Sequence, residues 1–270
     1  MACAGRAAAH GRTDVAEFAD PTALQLLPED ARQRVEQFCS GVPPRSLRRR
    51  VQSVLLKMLS KMMVVRTVAI DNAIRTAASS QVVILGAGLD GRAWRMSELV
   101  DAIVFEVDHP DSQRKKRERA ATLTQAARDI RFVPVDFGRD RLEHALESAG
   151  HDPVRQTTWI WEGVVMYLER ADIETTLRVV EARSVPGSRL VVMYTSPSII
   201  RRMSGFFLGR MGEPVRSAFT ADEMSTLLAG FSFTVVQDDD LPRIANRLLT
   251  GFGKATRLLQ DMRIATAERQ

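Results

Sequence analysis

The sequence predicts an α/β protein with a mainly parallel sheet covered by helices on both faces. Three observations carry this prediction. From residue 81 onward, short apolar runs alternate with longer polar stretches of helical character. The runs contain the β-branched and apolar residues that buried parallel strands require. A helical region precedes the first run, and a glycine-rich turn follows that run directly.

The helical region covers residues 12–78. The pair Asp20-Pro21 is expected to open a helix, and Pro43-Pro44 interrupts the chain. From Ser46 to Ala78 apolar side chains recur every three or four positions, which indicates a long amphipathic helix. These side chains are Leu47, Val51, Val54, Leu55, Met58 and Met62.

The strands are predicted from seven apolar runs. In chain order these cover residues 82–85, 103–107, 131–135, 157–161, 189–194, 231–236 and, as a seventh candidate, 262–266. Ligands bind beyond the carboxyl ends of parallel strands, so the residues after the runs are the informative ones. Asp108, Asp136 and Glu162 stand at or just past three run ends. Buried carboxylates need partners, which favours a polyol, an amine or a metal there.

The first turn lies in the stretch VVILGAGLDGR at 82–92 and fits the pattern G-x-G-x-x-G. Gly86 and Gly88 allow the backbone to turn sharply and approach a ligand. Asp108 lies 22 residues after Gly86, where an acid accepts hydrogen bonds from ribose hydroxyls. Strand, glycine turn, helix, strand and acid together predict a nucleoside-binding half-site.

The glycine pattern does not choose between NAD and S-adenosylmethionine, since both contain adenosine. A diphosphate is bound best by bare backbone N–H groups at a helix N-terminus, and Asp90 places a negative charge there. An ammonium or a sulfonium group suits Asp90 better. A dinucleotide fingerprint also usually opens its domain, whereas about 80 residues precede this one. An NAD-dependent oxidoreductase is therefore the disfavoured alternative, and a non-catalytic S-adenosylmethionine-binding protein stays open.

The chain resembles the leucine carboxyl methyltransferase family, in particular its bacterial small-molecule O-methyltransferases. The resemblance rests on motifs from about residue 64 to the end of the chain, and GAGLD, EVDHP and EGVVMYL together are far more specific than the glycines. The matching stretches are VVRTVAIDNAI at 64–74, QVVILGAGLDGRAWRM at 81–96, VFEVDHPDSQRKK at 104–116, FVPVDF at 132–137, WEGVVMYL at 161–168 and GEPVRSAFTADEMSTLL at 212–228.

The resemblance implies a class I methyltransferase with a Rossmann-like sheet of about seven strands and an N-terminal helical extension. It also implies S-adenosylmethionine as methyl donor and S-adenosylhomocysteine as product. Arg66 would hold the methionine carboxylate, Asp108 the ribose and Glu162 the ammonium group. Asp136 and Phe137 would frame the adenine. The full set of expected cofactor contacts is Arg66, Gly86, Ala87, Gly88, Asp90, Asp108, His109, Asp136, Phe137, Glu162 and Gly163.

The N-terminus departs from the family pattern. The family usually carries a further basic residue near the cofactor, before an aspartate-proline pair. Asp20-Pro21 is present, and Arg6 is the basic residue that could match. Because the spacing is uncertain, Arg6 is left out of the predicted site.

The resemblance also implies O-methylation of a small molecule, a carboxylate or a phenolic or enolic hydroxyl of a secondary metabolite. A hydroxyl acceptor needs a base, for which His109, Tyr167 and Tyr194 are the candidates. We expect residues 1–80 to form a cap over the acceptor pocket. We expect residues 81–270 to form the cofactor-binding domain, with an insertion at about 196–219, and the whole to be one compact unit.

Other classes of function are disfavoured by composition. Cys3 and Cys39 are the two cysteines, and His10, His144 and His151 lack metal-ligand spacing, so we expect no metal. The net charge of +5 includes two basic clusters, at 45–50 and 114–117, and neither alternates with aromatic residues, which disfavours nucleic acid. No apolar run reaches a membrane span, and no secretory signal is evident. We expect a cytoplasmic protein, with monomer and homodimer both open.

Overall fold

The computed structural model describes residues 1–42, 46–136, 139–197, 215–248, 250 and 259–270. Its strands are β1 Gln81–Leu85, β2 Ile103–Asp108, β3 Asp129–Pro134, β4 Thr157–Trp161, β5 Arg189–Thr195, β6 Phe233–Asp240 and β7 Met262–Arg269. They form a seven-stranded sheet in the order β3-β2-β1-β4-β5-β7-β6. The strands β1 to β5 pair in parallel, and β7 runs antiparallel between β5 and β6.

Helices occupy much of the remaining described chain. They are α1 Ala2–Ala9, α2 Ala23–Leu26, α3 Glu29–Cys39, α4 Leu47–Ala77, α5 Arg92–Arg95, α6 Pro110–Ala120, α7 Leu142–Ser148, α8 Arg170–Ala182, α9 Ala221–Ala229 and α10 Leu241–Arg247. The 31-residue α4 has the length of a membrane span. Neither α4 nor another helix within the described ranges is apolar enough to cross a bilayer.

The predicted α/β class is confirmed, and each predicted apolar run is a strand. The helical prediction for residues 12–78 is wrong in part, because residues 10–22 form turns and extended chain. The short helix α1 precedes them, and α2 begins two residues after Pro21. The predicted break at Pro43-Pro44 lies outside the described residues.

Alternation along the strands divides the core between the two faces of the sheet. Val83 and Leu85 point to the face covered by α7, α8 and α9, whereas Val82 and Ile84 point to the face covered by α4 and α10. The central strands β1 and β4 are buried along their full length, as expected of strands covered on both sides. This division decides which side chains of β5 can approach α4.

Candidate functional site

The glycine turn after β1 is shaped by two close approaches. Gly86 has a φ of +71°, and a Cβ added there would lie 2.5 Å from Val164 Cγ2. A Cβ at Gly91 would lie 2.1 Å from Thr22 Oγ1. Larger residues would therefore be excluded at both positions. Gly91, the third glycine of the G-x-G-x-x-G pattern, thus leaves the space in which Thr22 of the N-terminal segment packs against the turn.

Asp108 ends β2 beside this turn. Its Oδ2 accepts a hydrogen bond from the Gly88 N–H, and its Oδ1 accepts one from the His109 N–H at 2.6 Å. An ionised carboxylate offers about four acceptor positions. The half-buried Asp108 therefore keeps acceptor capacity for hydroxyl groups at the sheet edge.

The end of β3 lies next to Asp108. The Val135 N–H donates to the Asp108 carbonyl oxygen at 2.9 Å, which places the following Asp136 near that edge. The Asp136 N–H donates to Asp140 Oδ2 at 2.8 Å, and Arg139 Nε lies 3.9 Å from Asp136 Oδ2. Phe137 lies outside the described residues.

Arg66 and Glu162 form a buried ion pair. Arg66 is on α4, and Glu162 is the first residue after β4. Arg66 Nε lies 2.5 Å from Glu162 Oε1, and their side chains are 9% and 10% exposed. Arg66 Nε has no aligned hydrogen-bond acceptor, while Nη1 donates to Met193 Sδ at 3.6 Å. Gly163 follows Glu162, and a Cβ there would lie 3.8 Å from Arg66 Nη1.

Arg92, the first residue of α5, connects three carboxylates. Its Nε donates to Asp71 Oδ1 at 2.8 Å, and its Nη1 donates to Glu162 Oε2 at 2.8 Å. Nη1 also donates to Asp90 Oδ2, and the Arg92 N–H donates to Asp90 Oδ1 at 2.8 Å. One guanidinium therefore links α4, the glycine turn and the end of β4.

The pKa values of these groups follow from burial opposed by charge. Burial alone would raise the pKa of Glu162, but Arg66 and Arg92 hold it below its usual range. The pKa of Asp90 is likewise lowered, because Arg92 and Lys116 outweigh burial. Burial lowers the pKa of Arg66, with Glu162 opposing that shift. Glu162 and Asp90 are therefore carboxylates at neutral pH.

These contacts belong to one charge cluster of eight buried residues, each with a side chain at most 10% exposed. Its members are Arg6, Asp20, Arg66, Asp71, Asp90, Arg92, Arg95 and Glu162. Four arginines balance four carboxylates, so the formal charge of the cluster is zero. A continuous series of ion pairs thus runs from α1 to the end of β4.

Arg6 reaches the glycine turn, although it was left out of the predicted site. Its Nη2 donates to the Leu89 carbonyl oxygen at 2.6 Å, and its Nε pairs with Asp20 Oδ2 at 2.7 Å. Sequence reasoning also missed Asp71, which sits in the quoted stretch at 64–74, and Arg92, which directly follows the glycine pattern. The position of Arg92 directly after the glycine pattern was the signal that the sequence offered.

The role expected of Asp90 needs correction. Arg92 compensates its charge, so Asp90 is not the bare anion that was expected to repel a diphosphate. Three N–H groups of the turn also have acceptors within the protein. The N–H groups of Gly86 and Ala87 both donate to the Val107 carbonyl oxygen at 2.9 Å, and that of Gly88 donates to Asp108. These donors are not bare.

Two of the three candidate bases each have a polar side-chain atom engaged within the protein. His109 is exposed, and its Nδ1 accepts the Asp111 N–H at 3.2 Å, which caps α6. Tyr194 is not past the end of β5 but inside it, on the face opposite α4. Its hydroxyl donates to Asp238 and accepts from Arg263 Nε at 3.1 Å. Burial, followed by Asp238, raises the pKa of Tyr194.

Tyr167 is the candidate that lies on the α4 face of the sheet. It closes the short turn Val165–Tyr167 after β4 and packs, half-buried, against the core on the α4 face. The same core contains Met193, whose sulfur accepts the hydrogen bond from Arg66. Tyr167 therefore shares the sheet face on which Arg66 lies.

The first half of α4 exposes an apolar stripe, Leu47, Val51, Val54 and Leu55. Steps of three or four residues continue this face through the half-buried Met58 and Met62 to Arg66. The stripe therefore leads toward the charge cluster along one side of the helix.

The predicted insertion at about 196–219 lies mostly outside the described residues, because residues 198–214 are not among them. Within the described part, the Arg216 N–H donates to the Met166 carbonyl oxygen at 2.8 Å, so the chain returns beside the turn that follows β4. Arg216 Nη1 lies 3.4 Å from Glu169 Oε1. Phe219 is buried.

The leucine carboxyl methyltransferase family model matches residues 1–181. This match includes every member of the charge cluster. It also extends the resemblance upstream of residue 64 to the N-terminal helices, whereas the motif at 212–228 lies outside it.

Two curated relatives are both named putative S-adenosyl-L-methionine-dependent methyltransferase. The protein of Frankia alni is 36% identical over 170 residues, which are 60% of this chain and 57% of that protein. The protein of Mycolicibacterium gilvum is 36% identical over 180 residues, 65% of this chain and 58% of that protein. The matched part therefore spans less than two thirds of either relative.

Two solved structures share the fold over almost the full chain. A DUF574 family protein from Streptomyces avermitilis has a TM-score of 0.61 at 13% identity, covering 100% of this chain and 97% of that chain. A putative methyltransferase from Thermobifida fusca has a TM-score of 0.57 at 16% identity, with coverages of 96% and 95%. The sheet and its helices therefore have the class I methyltransferase fold.

Proposed function

Because this chain belongs to the leucine carboxyl methyltransferase family, we propose that it transfers a methyl group from S-adenosylmethionine to an oxygen atom of a small molecule. The observation that carries the proposal is the arrangement of three groups around the glycine turn. Arg66, Glu162 and Asp108 offer a buried cation, a buried anion and a half-buried hydrogen-bond acceptor at one sheet edge.

The residues present fit the cofactor chemically. A guanidinium such as that of Arg66 binds a carboxylate through two parallel hydrogen bonds, and its Nε lacks an aligned acceptor. Glu162 is held as a carboxylate that can bind an ammonium group. Asp108 retains acceptor positions for two ribose hydroxyls. Asp136 lies at the neighbouring strand end, where the adenine is expected.

When bound, S-adenosylmethionine supplies a methyl group already activated by its sulfonium centre. The protein therefore has to bind, orient and exclude water, and alignment alone contributes much of the rate in such reactions. The charge cluster suits this task, since Arg92, itself held by Asp71 and Asp90, anchors Glu162. An anchored Glu162 would hold the cofactor in one position relative to the acceptor.

We propose a carboxylate as the acceptor, with a phenolic or enolic hydroxyl as second choice. The exposed apolar stripe of α4, which leads to Arg66, supports an acceptor with an apolar body. The arginines between residues 201 and 216 support an anionic group, since guanidinium binds carboxylates bidentately. An ionised acceptor needs no base. For a hydroxyl acceptor, Tyr167 is the candidate that its position favours.

The cofactor assignment is tested by calorimetry with the purified chain. We expect S-adenosylmethionine and S-adenosylhomocysteine to bind, and NAD to leave no heat signal at the same concentrations. NAD binding without S-adenosylmethionine binding would overturn the proposal in favour of an oxidoreductase. Binding of S-adenosylmethionine without turnover on any acceptor in a panel of small acids and phenols would favour a non-catalytic binder.

The type of acceptor is tested by the stability of the methylated product. Mild alkali cleaves a methyl ester but not an aryl methyl ether. Loss of the transferred methyl group in alkali is therefore expected if the acceptor is a carboxylate. A product that keeps the methyl group excludes the carboxylate, and methylation on nitrogen or carbon excludes O-methylation.

Replacing Asp108 with alanine is expected to weaken S-adenosylhomocysteine binding by about 1–3 kcal/mol, because ribose hydroxyls lose a charged acceptor. The matched control is Asp111→Ala, which removes an exposed carboxylate three residues further along the chain. Calorimetry should show unchanged affinity for that control. Equal affinity of Asp108→Ala and the parent would mean that another group holds the ribose.

A further inference from the structure

The Arg66–Glu162 pair joins the two side chains that are proposed to hold opposite ends of one zwitterion. Arg66 is proposed to bind the carboxylate of the cofactor and Glu162 its ammonium group. In the structure these side chains instead bind each other, 2.5 Å apart and about nine-tenths buried. Each therefore already has the partner charge that the cofactor would supply.

In the part of the chain that the structure describes, Glu162 is held by more ion pairs than Arg66 is. Glu162 Oε2 receives a hydrogen bond from Arg92 Nη1 at 2.8 Å, and Arg92 is itself fixed by Asp71 and Asp90. Glu162 is the carboxylate that pairs with Arg66 among the described residues, whereas Glu162 pairs with both Arg66 and Arg92. The contact between Arg66 and Glu162 can thus open while Glu162 remains anchored by Arg92.

We propose that the Arg66–Glu162 pair is an internal substitute for the amino-acid end of the cofactor, and that binding exchanges it for two new pairs. Arg66 transfers from Glu162 to the ligand carboxylate, and Glu162 Oε1 transfers to the ligand ammonium group. Arg92 acts as the positioning residue that keeps Glu162 in place during the exchange. This inference rests on the proposed function and adds to it a rule of ligand selection.

The rule follows from charge balance. The cluster holds four arginines and four carboxylates, and an amino-acid zwitterion leaves that balance unchanged. A ligand with only the ammonium group would take Glu162 and leave Arg66 buried without a partner charge. Breaking one side of a buried pair is strongly unfavourable. A ligand with neither group would leave the internal pair intact.

The affinities of three thioethers of adenosine should therefore not simply rise with the number of contacts that each ligand can make. S-adenosylhomocysteine carries both charged groups, 5′-methylthioadenosine carries neither, and decarboxylated S-adenosylhomocysteine carries the ammonium group only. We expect S-adenosylhomocysteine to bind most tightly. The decarboxylated compound should bind at least about tenfold more weakly than 5′-methylthioadenosine, a difference of about 1.4 kcal/mol, although it is the larger molecule.

Arg66→Met provides the decisive variant, because it removes the internal competitor while Arg92 still anchors Glu162. In this variant the decarboxylated compound should bind more tightly than 5′-methylthioadenosine, reversing the order of the parent. The matched control is Arg75→Met on the same helix, which removes an arginine from the partly exposed pair with Glu98. The control should keep the order of the parent.

Calorimetry on the full chain gives the order of the three affinities in the parent and in Arg66→Met. A thermal unfolding curve for each variant shows whether it is folded. If no thioether binds the parent, the proposed function fails. If all three bind the parent and affinity rises with each charged group, the exchange alone is overturned and the proposed function stands. The parent series decides the matter even if Arg66→Met does not fold.

Discussion

Replacing Asp71 with asparagine is expected to lower the free energy of unfolding by about 3–5 kcal/mol, as removal of one partner from a buried ion pair does. Asp71 is 1% exposed and holds two guanidinium groups. Its Oδ1 accepts from Arg92 Nε at 2.8 Å, and its two oxygens accept from Arg95 at 2.7 and 2.9 Å. Asparagine keeps the shape but leaves the buried cluster with an excess positive charge.

The matched control for Asp71 is Glu98→Gln. Glu98 pairs with Arg75, which lies on α4 as Asp71 does, but the side chains of Glu98 and Arg75 are 39% and 31% exposed. Exposed pairs contribute roughly 0–1 kcal/mol, so the control should unfold at nearly the same urea concentration as the parent. A loss below about 1 kcal/mol for Asp71→Asn would contradict the prediction and mean that water screens the cluster.

Replacing Lys116 with methionine is expected to produce a loss of stability that grows with pH. Lys116 Nζ lies 2.7 Å from Glu106 Oε2, and the side chains are 1% and 0% exposed. Burial raises the pKa of Glu106 from 4.5 to about 7, although Lys116 opposes that shift. Removing the ammonium group must therefore raise the pKa of Glu106 further.

The sign of the pH dependence follows from proton binding. Between the unfolded and the folded pKa, the folded state holds a proton on Glu106 that the unfolded state has released. Stability therefore falls as pH rises through this window. The parent itself holds this proton up to about pH 7, so the deficit of Lys116→Met relative to the parent should be nearly constant between pH 5 and pH 6. Above the pKa of Glu106 in the parent the deficit should widen, to about 1.4 kcal/mol more at pH 8 than at pH 5.

The matched comparison is the double variant Lys116→Met with Glu106→Gln. This variant has no titrating group at either position. The difference between its stability and that of the parent should therefore vary with pH only through the titration of Glu106 in the parent. Urea unfolding at pH 5, 6, 7 and 8 measures all three proteins. A constant deficit for Lys116→Met across this range would contradict a raised pKa at Glu106.

The sequence by itself determined the sheet and the residues that stand at the ends of its strands. Buried strands need continuous apolar runs, and such runs stand out between polar helices even without an alignment. The run at 157–161 coincides with β4. Asp108 and Glu162 were predicted at the ligand edge because strand ends are local features. The family motifs then supplied the expected partner of each residue.

The tertiary structure alone decided how these residues are held. Arg66 and Glu162 are 96 positions apart, and Arg6 meets Leu89 across 83 positions, so no local period could reveal either contact. The side of β5 to which Tyr194 points was likewise decided by pleat and register, which assign it to Asp238 and Arg263. Ion pairs depend on distances in space and on the exclusion of water, and both arise only when distant segments pack together.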